Sequence, residues 1–471
     1  MKKYSILALD IGASSGRGIL GVYTPEGGLE AVEEIHRFPN GFVRLNGGLY
    51  WDHMHIYKGI LECLRKCRAR DIQLDCIGVD TWAQDYAYIG KEGDVLSLPR
   101  CYRDPVNTQN ADLYEKAMGF GPMEHCRRCG TSRITISTFR RLWYDVHNRK
   151  SLVDGAKWFL HMPYLLVYML TGEGGFDDSL MSIGELADAR TQQLSGETIR
   201  ELGIENIVPP RRSFGTIIGR TGKSILEETG YDSVPVACTD GHDTASAVSA
   251  IPDDGEFLWI SSGTSNMFGA VTDSPCMSEN FIGQGFHNTR LGDGRVCIMG
   301  GGAGMFYINQ CMNFWKQNGV KVSFPELTAY ALEHHTSRMF DFDDVPDDAV
   351  DMPAAINAAI VKAGHAPAEM PFELYEAFAN SLARLTVDRI ADFEECLGKR
   401  FGKLYVISGG SQADAVNQRM AMWLGREVYC GLIEAAATGN MLAQLAALDI
   451  PVDKNALSQA ATNGKMRRFA P

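Results

Sequence analysis

Four short stretches of the chain concentrate the residue types that phosphoryl chemistry uses. The first, Asp10-Ile11-Gly12-Ala13-Ser14-Ser15-Gly16-Arg17, sets a carboxylate and a guanidinium at the ends of a run of small residues. Small side chains let the backbone approach phosphate oxygens, the Ser14 and Ser15 hydroxyls can donate to them, and Arg17 supplies a fixed cation. Asp10 is placed to hold the water shell of Mg2+, which takes one or two carboxylates together with phosphate oxygens. An ordinary hairpin that uses glycine for its turn has the same composition, so the motif is informative only in context. The second stretch, Ser261-Ser262-Gly263-Thr264-Ser265-Asn266, repeats the small, polar character far along the chain and could wrap a terminal phosphate.

The third stretch, Gly241-His242-Asp243-Thr244, follows the apolar run Val234 to Cys238 and precedes small residues from Ala245 onward, which places it at a helix N-terminus. Transfer of a phosphoryl group to an alcohol needs a base for the hydroxyl proton, and Asp243 is the candidate. Asp and Thr are also good helix caps, and the segment by itself is better explained that way. His242 could bond a hydroxyl of the acceptor or simply orient its neighbour. In the fourth, Gly409-Gly410-Ser411-Gln412, bare glycines would allow an adenine or ribose to lie against the backbone. Trp82, Gln84 and Asp85 add one ring face and two polar groups of the kind a sugar pocket uses, although Trp82 also suits a core.

The elements that must hold these groups are legible as alternating strands and helices, an α/β class. Tyr4 to Val22 reads strand, turn, strand, and Phe257 to Ile260 with Met267 to Val271 reads the same way, which suggests an old duplication. Leu74 to Gly78 is strand-like and leads into Val79 to Asp85, so the polar residues fall at a strand end, where α/β folds bind ligands. Helical periodicity covers Ile56 to Arg68, Trp158 to Leu170 and Pro371 to Leu397. Near the end come a buried-type strand, Leu404 to Ile407, an amphipathic helix, Asp414 to Leu424, closed by Gly425, and an alanine-rich helix, Glu434 to Leu448.

A chain of 471 residues exceeds the roughly 250–300 that one core sustains, so two domains and a cleft between them are expected. A polar, proline-containing stretch puts the junction near residues 246–256, giving domains 1–248 and 249–471. The net charge of −13 argues against nucleic acid or an anionic membrane surface as partner and for a small molecule. Met1 to Asp10 is too short for a signal sequence, and the apolar stretch Trp158 to Leu170, broken by His161 and Pro163, falls short of the roughly 20 residues of a membrane span. A cytoplasmic protein is expected. The twelve cysteines are spread as reduced thiols are; Cys126 and Cys129 form a lone C-x-x-C whose only suggestive companions are Cys63, Cys67 and His125. The basic stretch Arg127, Arg128, Arg133, Arg140 and Arg141 reads as a solvated face.

Taken in this order the segments resemble the FGGY carbohydrate kinases, a branch of the actin-like ATPase superfamily, along almost the whole chain. The resemblance rests on A-S-S-G-R at Ala13 to Arg17, G-V-D-T-W at Gly78 to Trp82, H-D-T-A-S-A at His242 to Ala247, S-S-G-T at Ser261 to Thr264 and the turn at Gly409 to Gly410. It implies two actin-like, ribonuclease H-like ATPase domains and Mg2+-ATP as donor, with Asp243 as proton acceptor. It further implies ATP contacts at Ala13, Ser14, Ser15, Gly16, Arg17, Thr264, Gln310 and Gly410, and sugar contacts at Ala83, His242, Asp243, Thr244 and Gly302. The implied acceptor is a small ketose, L-rhamnulose first, phosphorylated at its 1-hydroxyl by a monomer or homodimer.

Two positions depart from the family branch with that substrate: Ala83 stands where a Gly is usual after D-T-W, and Gly302 where a sugar-binding Asn is usual. L-fuculose, L-ribulose or xylulose are therefore alternative acceptors. An actin- or chaperone-like ATPase switch shares the paired hairpins but not the acceptor groups at Asp80 to Asp85 and His242 to Thr244. A dehydrogenase would need a G-x-G-x-x-G opening a helix after the first strand, which the sequence lacks.

Overall fold

Ile6, Leu7, Ala8 and Leu9 are all wholly buried, because the strand that carries them, β1 (Tyr4–Ile11), is covered on both faces. Side chains alternate along a strand. Leu7, Leu9 and Ile11 pack with Ile56, Ile60 and Leu64 of the helix His53–Ala69, while Ile6 and Ala8 pack with Ala437, Met441 and Leu445 of the helix Ala435–Ala447. Asp10 belongs to the second set by its period of two, so the side chain that could do chemistry emerges on the face covered by the C-terminal helix.

The computed structural model describes residues 2–455, 457 and 466–471. They form two units, the first made of Met1–Asp254, Thr272–Ile298 and Glu434–Gly464, the second of Gly255–Val271, Met299–Ile433 and Lys465–Pro471. One boundary falls at 254/255, inside the stretch proposed as a junction, but two segments beyond residue 248 pack with the N-terminal part.

In the first unit the strands β1, β2 (Ser15–Thr24), β3 (Gly28–Pro39), β4 (Cys76–Thr81), β5 (Ile217–Arg220) and β6 (Pro235–Ala237) form a sheet in the order β3-β2-β1-β4-β6-β5. β1 is antiparallel to β2 and parallel to β4, and β6 is parallel to β4. In the second unit β7 (Phe257–Ser262) is antiparallel to β8 (Ser265–Thr272) and parallel to β10 (Leu404–Ile407), with β9 (Val296–Ala303) beyond β8 and β11 (Val428–Cys430) and β12 (Arg467–Phe469) beyond β10. The same plan, a hairpin with a parallel strand against its first arm, thus occurs twice. The long helix Pro371–Leu397 and the helix Asp414–Leu424 lie where periodicity put them.

Two readings are corrected. Trp158 to Leu170 is not one helix: Ala156–His161 is a strand paired with Tyr86–Gly90, and the helix Met162–Thr171 begins only where Pro163 suits a first turn. The basic stretch is not a uniform solvated face, since Arg140 and Arg141 are buried and paired with Glu115 and Asp85. Cys126 and Cys129 are buried thiols in the helix Pro122–Cys129, with burial pushing Cys126 up to about 12. Among the described residues no helix is long and apolar enough to cross a membrane.

Candidate active site

Three aspartates rise from the carboxyl ends of adjacent parallel strands in the first unit. Asp10 of β1 stands opposite Asp80 of β4, and beyond β6 the backbone of Gly241 accepts from Thr81 N–H at 2.9 Å, which brings Asp243 to the same edge. Arg17 of β2 is the antiparallel partner of Asp10. Its guanidinium donates twice to Asp10 Oδ2, at 2.7 and 3.0 Å, and lies 2.8 Å from Glu434 Oε2. Burial alone would lower the Arg17 pKa; the Asp10 and Glu434 carboxylates outweigh it and hold the charge firmly.

Asp80 is completely buried. Its Oδ2 accepts from Asn440 Nδ2 at 2.6 Å, whereas Oδ1 has no hydrogen-bond partner. Burial, then the nearby Asp10 charge, drive its carboxyl well above the usual range. Gly78, two residues earlier on the same face, leaves the room that Asn440 needs: a Cβ there would lie 2.0 Å from Asn440 Oδ1. The helix carrying Asn440 comes this close because Gly439 has no side chain; its Cβ would stand 1.8 Å from Ser246 O. Gln444 Nε2 donates to Asn440 Oδ1 at 2.7 Å and fixes the amide orientation.

Asp243 opens the helix Asp243–Ser249, with 30% of its side chain exposed. Its Oδ1 accepts from Thr244 N at 2.6 Å and from the Thr244 hydroxyl at 3.2 Å. Burial and the Asp10 charge push its carboxyl up to about 7, the poise a general base needs near neutral pH. His242 is buried and, by that burial, lowered to about 4, so it is a neutral imidazole whose Nδ1 lacks a partner. Its Nε2 is 3.6 Å from the Asp243 carboxylate.

The first hairpin turn is closed by Gly12 N–H to Ser15 O at 3.0 Å and clamped by Asn40, whose Nδ2 donates to Gly12 O at 2.8 Å. Ser14 is exposed, Ala13 and Ser15 are half-buried, and Gly16 lies under the Phe38 ring, which a Cβ would overlap. Ala83 is half-buried against the core. Its neighbours do not form a sugar pocket. Gln84 takes a left-handed φ of 78° and spends its amide on Thr138 N and Ile183 O, and Asp85 is buried under both indole N–H groups of Trp51 and Trp82 and the Arg141 guanidinium. These groups build the scaffold, and the polar-residue pattern at the strand end did not distinguish the two uses.

In the second unit the other hairpin holds a helix: Met305 N–H donates to Gly263 O and Phe306 N–H to Thr264 O, at the start of Phe306–Gln317. Beside it is a cavity of about 300 Å³, lined by Gly263, Thr264, Met305, Asn309, Phe324, Thr328, Tyr375, Gly409, Gly410, Gln412 and Ala413. The structure thus brings Thr264 and Gly410 together. Gln310 is not in the lining; Asn309, one residue earlier on the helix, is. Gly410 packs on Ser262, where a Cβ would meet Oγ at 2.0 Å. Gly302, near the end of β9, has open space around it, the nearest atom to an added Cβ being Phe268 Cε1 at 3.9 Å. Glu434, Asn440, Asn309, Thr328 and Tyr375 were not singled out from sequence, although Glu434, Asn440 and Gln444 stand out as polar residues in an alanine-rich helix.

A hairpin-and-parallel-strand plan that occurs twice, with carboxylates at the strand ends of the first copy, defines the actin-like, ribonuclease H-like fold class. The model for the FGGY family of carbohydrate kinases, C-terminal domain, matches residues 258–448. A rhamnulokinase of Bacteroides thetaiotaomicron is 32% identical over 449 residues, spanning 94% of this chain and 90% of the relative. One from Oceanobacillus iheyensis is 30% identical, with 94% and 93% covered. The chain belongs to the FGGY family of carbohydrate kinases. Solved structures of a xylulose kinase from Lactobacillus acidophilus and of Plasmodium falciparum glycerol kinase with ADP each superpose with a TM-score of 0.78 over 99% of this chain and 94% of theirs. At 14% identity they share the fold. The protein is a sugar kinase with ATP and a small sugar as substrates.

Proposed function

We propose that the protein transfers the γ-phosphoryl group of Mg2+-ATP to the 1-hydroxyl of L-rhamnulose, giving L-rhamnulose 1-phosphate and ADP in the cytoplasm. The observation that carries the reading is the placement of Asp243 at the strand edge shared with Asp10 and Asp80, with one of its oxygens held by Thr244. The names of the two relatives above support the choice of sugar.

Asp243 accepts the proton of the attacking hydroxyl as the new P–O bond forms. Two hydrogen bonds from Thr244 aim one of its oxygens and leave the other for the acceptor. Neutral His242 offers a donor or acceptor to a second sugar hydroxyl. Arg17 lies beside Asp10 and meets phosphate oxygens. The carboxylate oxygens of Asp10 and the unpartnered Oδ1 of Asp80 are a donor set that suits a hard cation, and these residues would hold Mg2+ through oxygen or water. When bound, the ion neutralises charge on the phosphate oxygens. The cavity of the second unit takes the adenosine, with Gly409 and Gly410 against it and Thr264 toward the phosphates.

ADP release measured against L-rhamnulose, L-fuculose, L-ribulose and xylulose tests the reading. L-rhamnulose should give the highest kcat/KM. A higher value for another ketose would reassign the substrate, and no release with any of the four would place the acceptor outside this group of ketoses.

A further inference from the structure

The turn at Gly409 to Gln412 is held from behind by the last strand of the chain. Gly409, Gly410, Gln412 and Ala413 line the cavity of the second unit; Ser411, between them, does not. Its carbonyl faces the other way and accepts two hydrogen bonds, from Asn417 Nδ2 at 2.9 Å and from Arg467 Nη2 at 2.7 Å. The other arm of the same guanidinium pairs with Asp414, the first residue of the helix that follows the turn. One side chain therefore grips both the turn and the helix start. It does so from β12, whose Arg467 is in register with Cys430 of β11.

The turn needs such a grip. Ser408 enters it with a left-handed φ of 68°, which a non-glycine residue keeps only where its surroundings over-determine it. On the opposite side the turn already touches β7, through Gly410 on Ser262 and through Ser408 Oγ, 3.0 Å from Ser261 Oγ. The glycines provide no side-chain anchors of their own. Position is set by what holds Ser408 and Ser411.

We propose that Arg467 is a positioning residue for nucleotide binding: it acts through the Ser411 carbonyl and Asp414 to keep the glycine turn against the cavity. The inference rests on the assignment of that cavity to the nucleotide. It predicts that loss of the guanidinium weakens nucleotide binding without touching the first unit's acceptor groups. Arg468, the next residue, pairs with Glu427 and does not contact the turn, which makes it an internal control.

The test is titration of the full chain with a fluorescent methylanthraniloyl derivative of ADP, for wild type, Arg467→Met, Arg467→Lys and Arg468→Met. Arg467→Met should raise Kd about tenfold, the worth of a lost charge-assisted hydrogen bond. Arg467→Lys, which keeps the Asp414 pair but not the fork, should fall between, and Arg468→Met should match wild type. The KM for ATP should rise in step while the KM for the sugar stays fixed. Unchanged Kd in Arg467→Met, or an equal rise in Arg468→Met, overturns the proposal. If Arg467→Met does not fold, Arg467→Lys decides by the same criterion. A wild-type protein that fails to bind the ADP derivative overturns the cavity assignment, and this inference with it.

Discussion

Asn440 Nδ2 donates to Asp80 Oδ2 at 2.6 Å across 360 positions of sequence, both side chains being wholly buried. The bond ties a helix near the C-terminus to the strand edge that carries Asp10 and Asp80. Asn440→Ala removes the donor and leaves a second Asp80 oxygen buried without a partner, a loss of about 1–3 kcal/mol of stability. Asn440→Asp should do worse, since it sets a second carboxyl against Asp80. Thermal unfolding of the two variants checks the order, and an Asn440→Ala protein as stable as wild type would refute the tie.

Gly78→Ala tests the same contact from the other side. The new methyl would lie 2.0 Å from Asn440 Oδ1 and 2.9 Å from Thr239 Cγ2, and neither neighbour hangs free, because Thr239 Oγ1 donates to Val79 O. The helix must retreat, and Glu434, which pairs with Arg17, retreats with it. Expected are a lowered unfolding temperature together with a raised KM for ATP. A change in stability alone would separate the helix from the role proposed for Arg17.

The pH dependence follows from Asp243. Burial and the Asp10 charge raise its carboxyl to about 7, and only the ionised form accepts a proton. The profile of kcat/KM, which reports the free enzyme, should therefore be level above about pH 7 and fall about tenfold per pH unit below it. Asp243→Asn should lower turnover by about 10²–10⁴-fold, retain nucleotide binding and abolish the acidic limb. An acidic limb that survives in Asp243→Asn assigns the titration to another group.

Arg17 and Glu434 make a graded pair. Arg17→Ala removes the cation and leaves Asp10 and Glu434 facing each other across the gap, so KM for ATP should rise by about tenfold or more, the worth of one to two charge-assisted bonds. Glu434→Gln keeps Arg17 on Asp10 and should change KM for ATP less. Steady-state kinetics with ATP varied at saturating sugar give both numbers, and the reverse order would mean that Glu434, not Asp10, positions the guanidinium.

Much of this arrangement was legible in the sequence because it is local. The hairpins were readable since a short apolar run, a small polar turn and a second apolar run are contiguous, and Asp243 since it follows a strand pattern and opens a small-residue helix. What was hidden is what the fold brings from elsewhere. No periodicity tells that Glu434 to Ala447 packs on β1 and β4, because an alanine-rich helix fits many partners, and the bare Gly78 and Gly439 that admit it are explained only by the atoms they meet. Trp82, Gln84 and Asp85 misled for a related reason: a polar residue at a strand end serves a ligand or a buried network alike, and Arg141, the partner that decides for Asp85, lies 56 residues away.

The sugar is tested most sharply at Gly302. An added Cβ finds its nearest atom at 3.9 Å, ordinary van der Waals contact, and Gly302 does not take a left-handed φ, so the backbone and the space at Cβ both admit a side chain. Gly302→Asn should therefore leave the unfolding temperature within the range of a neutral surface change, about ±0.5 kcal/mol. It supplies an amide with two donors and an acceptor. If this position faces the sugar, the KM for one ketose of the panel should fall relative to the others, since a hydroxyl that gains a partner binds more tightly, by about tenfold for one good bond. A uniform change across all ketoses, or none, would place Gly302 outside the acceptor site and leave the discrimination to His242 and Thr244.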